Sequence, residues 1–238
     1  AGSGIRLATP YLYAAIGETF GQRSGVLNLG VEGVMLVGAF SAFYATYHSQ
    51  SLILGVLVAL IVGALMGLLT AFINVTLKAE QGISGIGIFL FGLGLSELLF
   101  QIAFEELGVV RVSGFPRIHI PLLASIPVVG EIFFQQNFLV YMAFALVPLA
   151  WFVLNKTTFG LKIRAVGENP EAADAMGISV ARVRYTTVII GGMLASLAGA
   201  SLSIGLLNVF QQNMTAGQGF IAVALVYFGS WRPVGVMA

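Results

Sequence analysis

The sequence predicts an all-α, polytopic membrane protein, and three observations carry that prediction. Hydrophobic residues fill 58% of the 238 positions and charged residues 9%, where a soluble domain carries roughly 25% charged residues. The stretches 33–77 and 185–231 contain no Asp, Glu, Lys or Arg, which reads as helix in lipid. Small residues recur every fourth position inside the apolar runs, a spacing that lets helices approach closely without a hydrophobic drive. About six to seven spans are expected, with broken or re-entrant half-helices and one short helix on the cytoplasmic side. The whole of 1–238 reads as a single transmembrane domain.

Taken in order, Leu7–Phe20 is apolar but is cut by Glu18 and Arg23, so it is either the tail of a span or a half-helix. Gly21–Gly30 is a break. Val31–Tyr47 is a second apolar helix, and His48–Ser51 is a polar turn. Leu52–Leu77 is the strongest span, with Gly55, Ala59, Gly63, Gly67 and Ala71 on one smooth stripe. After a short loop at Lys78–Gln81, Gly82–Phe104 is a Gly-rich span carrying Glu97. Residues 105–136 form a long connection with Pro116, Pro121 and Pro127, and its apolar part, Ile118–Val129, suits an interface. Asn137–Asn155 is a span containing Pro148.

The polar stretch Lys156–Arg184 follows, with Lys156, Lys162, Arg164, Arg182 and Arg184. A short helix is marked inside it. Asn169 is a good N-cap, Pro170 suits the first helical position, and Gly177 is a natural stop. Glu171 and Asp174 complement the positive end of the dipole. About two turns are not stable alone, so this helix must dock, and Ala172, Ala173 and Met176 offer it a smooth face. Thr186–Val209 is a span with two small-residue rows. Gly219–Gly229 is apolar but too short to cross a core of roughly 30 Å.

Five Lys/Arg in 156–184 against Arg111 and Arg117 in 105–136 put the 156–184 loop in the cytoplasm. A net charge of +1 gives no case for nucleic-acid binding. The chain has no Cys, hence no disulfide framework, thiol nucleophile or Cys metal site. His48 and His119 are isolated, no carboxylate pair suits acid–base work within a span, and no phosphate-binding GxxxxGK[ST] loop exists. No enzyme, cofactor or metal site is therefore expected. The chain starts without Met and without a basic segment ahead of a cleavable apolar run; it is expected to begin inside a longer protein or at a trimmed start.

Two breaks carry the remaining chemistry. In Ser24–Gly33, SGVLNLGVEG, backbone polar groups need partners at membrane depth, either from protein or from an aqueous cavity. Asn28 and Glu32 sit four apart there. An intramembrane ionisable residue is a functional candidate, although Glu32 could instead pair with Arg23 or cap a helix start. The second break, Gln211–Gly219 (QQNMTAGQG), precedes the half-length segment and adds Gln211 and Asn213. Interrupted segments in two parts of a transporter point to its route; an ordinary outer loop is the competing account. Glu97 joins the candidates, although a buried hydrogen bond explains it more simply.

TPYLYAAIGETFGQRSGVLNLGVEGVMLVGAF at 9–40 resembles the N-terminal signature of bacterial ABC permeases of the nucleoside and simple-sugar uptake class. GLKIRAVGENPEAADAMGIS at 160–179 resembles the coupling segment of that superfamily, shared more loosely with ribose and branched-chain amino-acid permeases. GQGFIAVALVYFGSWRPVG at 217–235 is similar to its third block. The three stand in family order and cover nearly the whole chain. The resemblance implies one multi-pass permease subunit of an ATP-driven importer in the bacterial cell membrane. It would pair with a second, related permease, a cytoplasmic ABC ATPase and an extracytoplasmic substrate-binding lipoprotein. Glu168, Asn169, Pro170, Glu171, Ala172, Ala173, Met176 and Gly177 would meet the ATPase. Such permeases continue past the third block, so the chain is expected to be C-terminally truncated. A sugar or branched-chain amino-acid permease is the nearest alternative, and an ion-driven secondary transporter the more distant one.

Overall fold

A computed structural model describes residues 2–104, 110–116 and 135–237. Among the described residues the chain forms ten α-helices and no strand. They are α1 (Gly2–Arg23), α2 (Val31–Ser49), α3 (Leu52–Ala71), α4 (Gln81–Phe104), α5 (Phe138–Lys156), α6 (Thr158–Glu168), α7 (Pro170–Ala175), α8 (Val180–Ala200), α9 (Gln218–Phe228) and α10 (Pro233–Met237). Two run on as π-helix, α3 through Phe72–Thr76 and α8 through Ser201–Leu207. The apolar 118–129 segment and Arg117 lie outside the described residues.

Among the described residues four helices are long and apolar enough to cross a membrane, by length and composition: α3 with its extension, α4, α5, and α8 with its extension. Their burial separates them. The apolar window of α8 is 67% buried, against 22–33% for the other three. α8 is therefore the interior post, and α3, α4 and α5 turn apolar side chains outward. On α3 the outward set includes Ile53, Leu57, Ile61 and Leu65, while Gly55, Ala59, Gly63, Gly67 and Ala71 are all buried. Ala59, Gly63 and Gly67 of this stripe pack on α8, and Gly55 packs on α2. A Cβ on Gly63 would stand 2.5 Å from the Gly192 carbonyl oxygen, and the Ser196 hydroxyl donates to the Ala59 carbonyl at 2.6 Å. Close approach and a buried interhelical hydrogen bond are the terms that hold helices together in lipid.

α1 and α2 are also long enough to span, at 22 and 19 residues. They carry more polar groups because they lie inside the bundle. α1 runs unbroken through Glu18. That carboxyl does not end the helix, because it faces protein and is 3% exposed. Tyr13, also on α1, donates to the Leu139 carbonyl at 2.6 Å and ties α1 to α5. α2 is buried for most of its length and packs against α3, α4 and α8. Its Gly33 fits directly against Ile88 and Phe89 of α4.

The polar stretch folds as two helices before α8 begins. α7 is capped as the sequence indicates: the Asn169 side chain accepts from the Ala172 N–H at 3.0 Å, Pro170 takes the first position, and Gly177 has φ +80°. α6 precedes it, capped by Thr157, whose hydroxyl accepts from the Gly160 N–H at 3.1 Å. Ile163 and Val166 on α6 are fully buried.

Candidate functional site

Residues Ser24–Gly30 leave the helical path between α1 and α2. Almost every step of this turn is held by another element. The Ser24 carbonyl accepts from Arg184 Nε at 3.1 Å, and the Ser24 and Thr187 hydroxyls share a hydrogen bond at 2.8 Å. Gln81, the first residue of α4, accepts from the Leu27 N–H through Oε1 at 2.8 Å. The Asn28 N–H donates to Glu18 Oε1 at 2.9 Å, and the Asn28 Oδ1 accepts from the Gly30 N–H at 2.9 Å. Gly167 at the end of α6 packs against the Arg23 carbonyl, where any side chain would collide. Protein therefore covers this break, which is one of the two ways a membrane protein accommodates non-helical backbone.

The second break, between the π-extension of α8 and α9, is built differently. Asn208, Asn213 and Ala216 all have φ between +46° and +58°, a region that non-glycine residues seldom adopt. Gln211, Gln212, Asn213 and Ala216 are exposed. Phe210 packs among Phe40, Phe43 and Phe100, toward the end of α2 that leads to Ser49. From there the chain descends to the opposite end of α2, where α9 starts. At 11 residues α9 is about 16 Å long, half of a bilayer core. Its far end meets Arg23, whose Nε donates to the Trp231 carbonyl at 2.9 Å, and Gln22, which accepts from the Trp231 indole at 2.7 Å.

Glu32 joins the two breaks. Its carboxylate accepts from the Thr215 hydroxyl at 2.5 Å, the Gly217 N–H at 2.7 Å and the Gly219 N–H at 2.5 Å. It is 1% exposed. These donors lie at the start of α9, whose own N-cap, Gly217, has no side chain to satisfy them. A carboxylate is well matched there, since it meets both the free N–H groups and the positive dipole end. The helix start that Glu32 caps thus lies 185 residues away, not beside it. It does not pair with Arg23.

The other candidates separate. Asn28 is 5% exposed and engaged within the turn. Gln211 and Asn213 are open to solvent or cavity. Glu97 is half-buried on α4; the hydrogen bond in its neighbourhood is made by Ser96, whose hydroxyl donates to the Leu93 carbonyl at 2.9 Å. Glu97 is not brought to the Glu32 junction by any hydrogen bond. On α7 and just past its end, Glu171, Ala172, Met176 and Gly177 are exposed, Met176 at 82%, together with Glu168 and Asn169 before it. Ala173 is the correction. It is 4% exposed and packs on the chain's own core, because one residue turns a helix by about 100° and takes it off the Ala172–Met176 face.

Sequence reasoning missed Thr215, Gly217, Gly219 and Glu18. The Gly217-x-Gly219 pair at the head of a short apolar run was the available signal for a close approach. Glu18 and Gln22, four apart on α1, form the other: Gln22 Nε2 donates to Glu18 Oε1 at 3.2 Å. A polar cavity of about 440 Å³ lies between Gln22, Arg23, Arg164, Glu168 and Trp231, where α6 meets the ends of α1 and α9. A larger cavity of about 550 Å³ is lined by apolar residues such as Leu12, Phe144 and Leu225 and contains none of the candidate residues. Among the described residues, no cluster of His or carboxylates could hold a metal ion.

Residues 1–238 match the family described as branched-chain amino acid transport system / permease component. The chain is 38% identical over 238 residues to a guanosine ABC transporter permease of Bacillus subtilis, covering 97% of this chain and 75% of that one. It is equally similar, with the same coverage, to a nucleoside ABC transporter permease of Lactococcus lactis. A protein of Haloferax volcanii provisionally named as a glucose ABC transporter permease is 42% identical over 233 residues, covering 96% of this chain and 70% of that one. No solved structure matches the chain. A bundle of apolar helices packed on α8, with a half-helix whose start is capped by a buried carboxylate, is matched end to end by permeases of this kind: the chain belongs to the branched-chain amino acid transport system / permease component family and is a multi-pass membrane permease subunit of an ABC importer.

Proposed function

We propose that this permease carries a nucleoside, and that the solute passes beside the junction of the two breaks. The observation that carries the reading is α9 itself, a half-length helix that starts against Glu32, just after the first non-helical segment. Asn28, Glu32, Glu97, Gln211 and Asn213 border the route. Gln211 and Asn213 are the members with free surface, and amide groups can both donate to and accept from a ribose or base. The nucleoside assignment is supported by the guanosine and nucleoside names of two relatives. A simple sugar is the second reading, favoured by the Haloferax relative.

Residues 156–184 form the cytoplasmic coupling segment of this proposal. Arg23, Arg164, Arg184 and Arg232 gather at one end of the bundle, where α6 meets α1 and α8, and a basic end faces the cytoplasm. α7 docks on an ABC ATPase through Ala172 and Met176, flanked by Glu168, Asn169, Pro170, Glu171 and Gly177. Ala173 holds the helix on its own subunit. A second permease and an extracytoplasmic substrate-binding lipoprotein complete the importer.

Uptake of labelled guanosine and of labelled glucose by cells producing the complete transporter tests the reading. Guanosine uptake that stops on ATP depletion, with the ion gradient kept, is the expected result. Ala172→Arg should abolish uptake while the permease still inserts, and Ala173→Arg should lower the amount of folded subunit. Normal uptake with Ala172→Arg would overturn the docking role, and uptake of glucose alone would favour the second reading.

A further inference from the structure

We propose that Glu32 is a positioning residue: its carboxylate is the latch that fixes the start of α9 and so sets the wall of the solute route, without itself binding solute. This deepens the route reading above and rests on it only for the consequence in transport. The geometry of the latch stands by itself. Three donors from one short segment converge on one carboxylate, two on Oε1 and one on Oε2. With 1% of its surface exposed, Glu32 offers no face to a solute.

The backbone agrees. Gly219 lies so close to α2 that a Cβ there would stand 2.6 Å from both the Cα and the N of Glu32. The segment leading in has two successive left-handed residues, Ala216 at φ +46° and Gly217 at φ +90°. An alanine at positive φ is strained and persists only where surrounding contacts over-determine it. The Glu32 bonds to residues on both sides, Thr215 and Gly217, are such contacts. Without them the first N–H groups of α9 would be unpaired at membrane depth. Released, the segment from Gln211 to Gly219 would lose these hydrogen bonds to α2.

Residues 1–238 contain no Cys, so with any Cys elsewhere in the transporter replaced, a single introduced thiol reports on α9. Val223, on α9, is 6% exposed. In membranes holding the assembled transporter with Val223→Cys, reaction with N-ethylmaleimide should be slow. Adding Glu32→Gln puts an amide NH₂ opposite a backbone N–H and should speed labelling about tenfold, as expected when roughly one buried hydrogen bond no longer opposes local opening. Thr215→Val should give a smaller acceleration, and Thr215→Ser should restore the parent rate. Thr215→Val added to Glu32→Gln should add little, because both act on one contact. In uptake, Glu32→Gln should lower the maximal rate for guanosine and for other accepted nucleosides alike.

Parent-rate labelling in both Glu32→Gln and Thr215→Val would overturn the latch. So would a Glu32→Gln change confined to the apparent affinity for one solute, which would make Glu32 a ligand. If Glu32→Gln does not reach the membrane, Thr215→Val against Thr215→Ser decides alone. Labelling needs no solute, so it stands whether or not the nucleoside assignment survives.

Discussion

The two breaks face one physical problem and answer it in opposite ways. Between Ser24 and Gly30, three helices supply hydrogen-bond partners, Glu18 from α1, Gln81 from α4, and Arg184 and Thr187 from α8, and Gly167 of α6 packs closely beside the turn. Between Asn208 and Gly217 the chain is pinned near its ends, by Val112 donating to the Asn208 carbonyl at 3.0 Å and by Glu32 at the far end. Between them Gln211, Gln212, Asn213 and Ala216 are exposed, Asn213 and Ala216 in left-handed conformations, while Phe210 and Thr215 turn inward. Non-helical backbone in a membrane protein is tolerated where protein buries it or where it lines water. The first break takes the first solution and the second is suited to the other. The first is therefore the fixed reference of the bundle, and the second is the part with freedom to meet a solute.

This contrast is broken most severely at Asn28. Asn28→Leu removes the acceptor of the Gly30 N–H and places an apolar side chain in a polar turn. A buried donor left unsatisfied costs about 1–3 kcal/mol. The purified transporter should lose several degrees of thermal stability, and Gln211→Leu should change it little. Equal losses would mean that the second break is as tightly held as the first.

Asn213 gives the next largest effect and probes the backbone alone. At φ +52° Asn is tolerated and Gly is at ease, but a β-branched residue is strained. Asn213→Gly should leave thermal stability near the parent. Asn213→Val should destabilise by about 1–2 kcal/mol. If Asn213→Gly costs as much as Asn213→Val, the side chain and not the backbone is what matters there.

Much of the bundle was legible because membrane packing leaves local marks. The stripe from Gly55 to Ala71 named the face of α3 that is buried, and the brevity of 219–229 identified a half-helix. Asn169, Pro170 and Gly177 bounded α7, since caps are read within a turn. α6 was missed, although Thr157 caps it and Ile163 and Val166 mark its inner face; its Lys162 and Arg164 made it read as loop. Glu18 reads as a helix end because sequence does not tell a lipid-facing carboxyl from one turned toward Asn28. The latch was out of reach in its details. Glu32 and Gly219 are 187 residues apart, and only the packing of α2 against α9 brings them together.

The smallest expected effect sharpens the comparison from outside the first break. Glu80 precedes α4 and accepts from the Ile83 N–H at 2.6 Å and the Gly82 N–H at 3.0 Å. These two bonds, the Ile83 bond first, hold its carboxyl below the usual carboxylate range. Next along the chain, Gln81 reaches into the break and accepts from the Leu27 N–H. Fixing the start of α4 thus fixes one wall of the turn. A depressed folded-state value means that the contribution is present above the unfolded carboxylate value and is lost as pH falls through the folded one. Glu80 is fully exposed, so the effect is a small cap contribution screened by salt. Glu80→Gln should therefore lower thermal stability slightly at pH 7 and make no difference well below pH 4, where the parent is protonated. The same substitution should leave the thiol reactivity of Val223→Cys unchanged, because α9 is held from Glu32 and not from the turn. A faster reaction there would show the two breaks moving as one unit, and the division between a fixed and a free segment would fall.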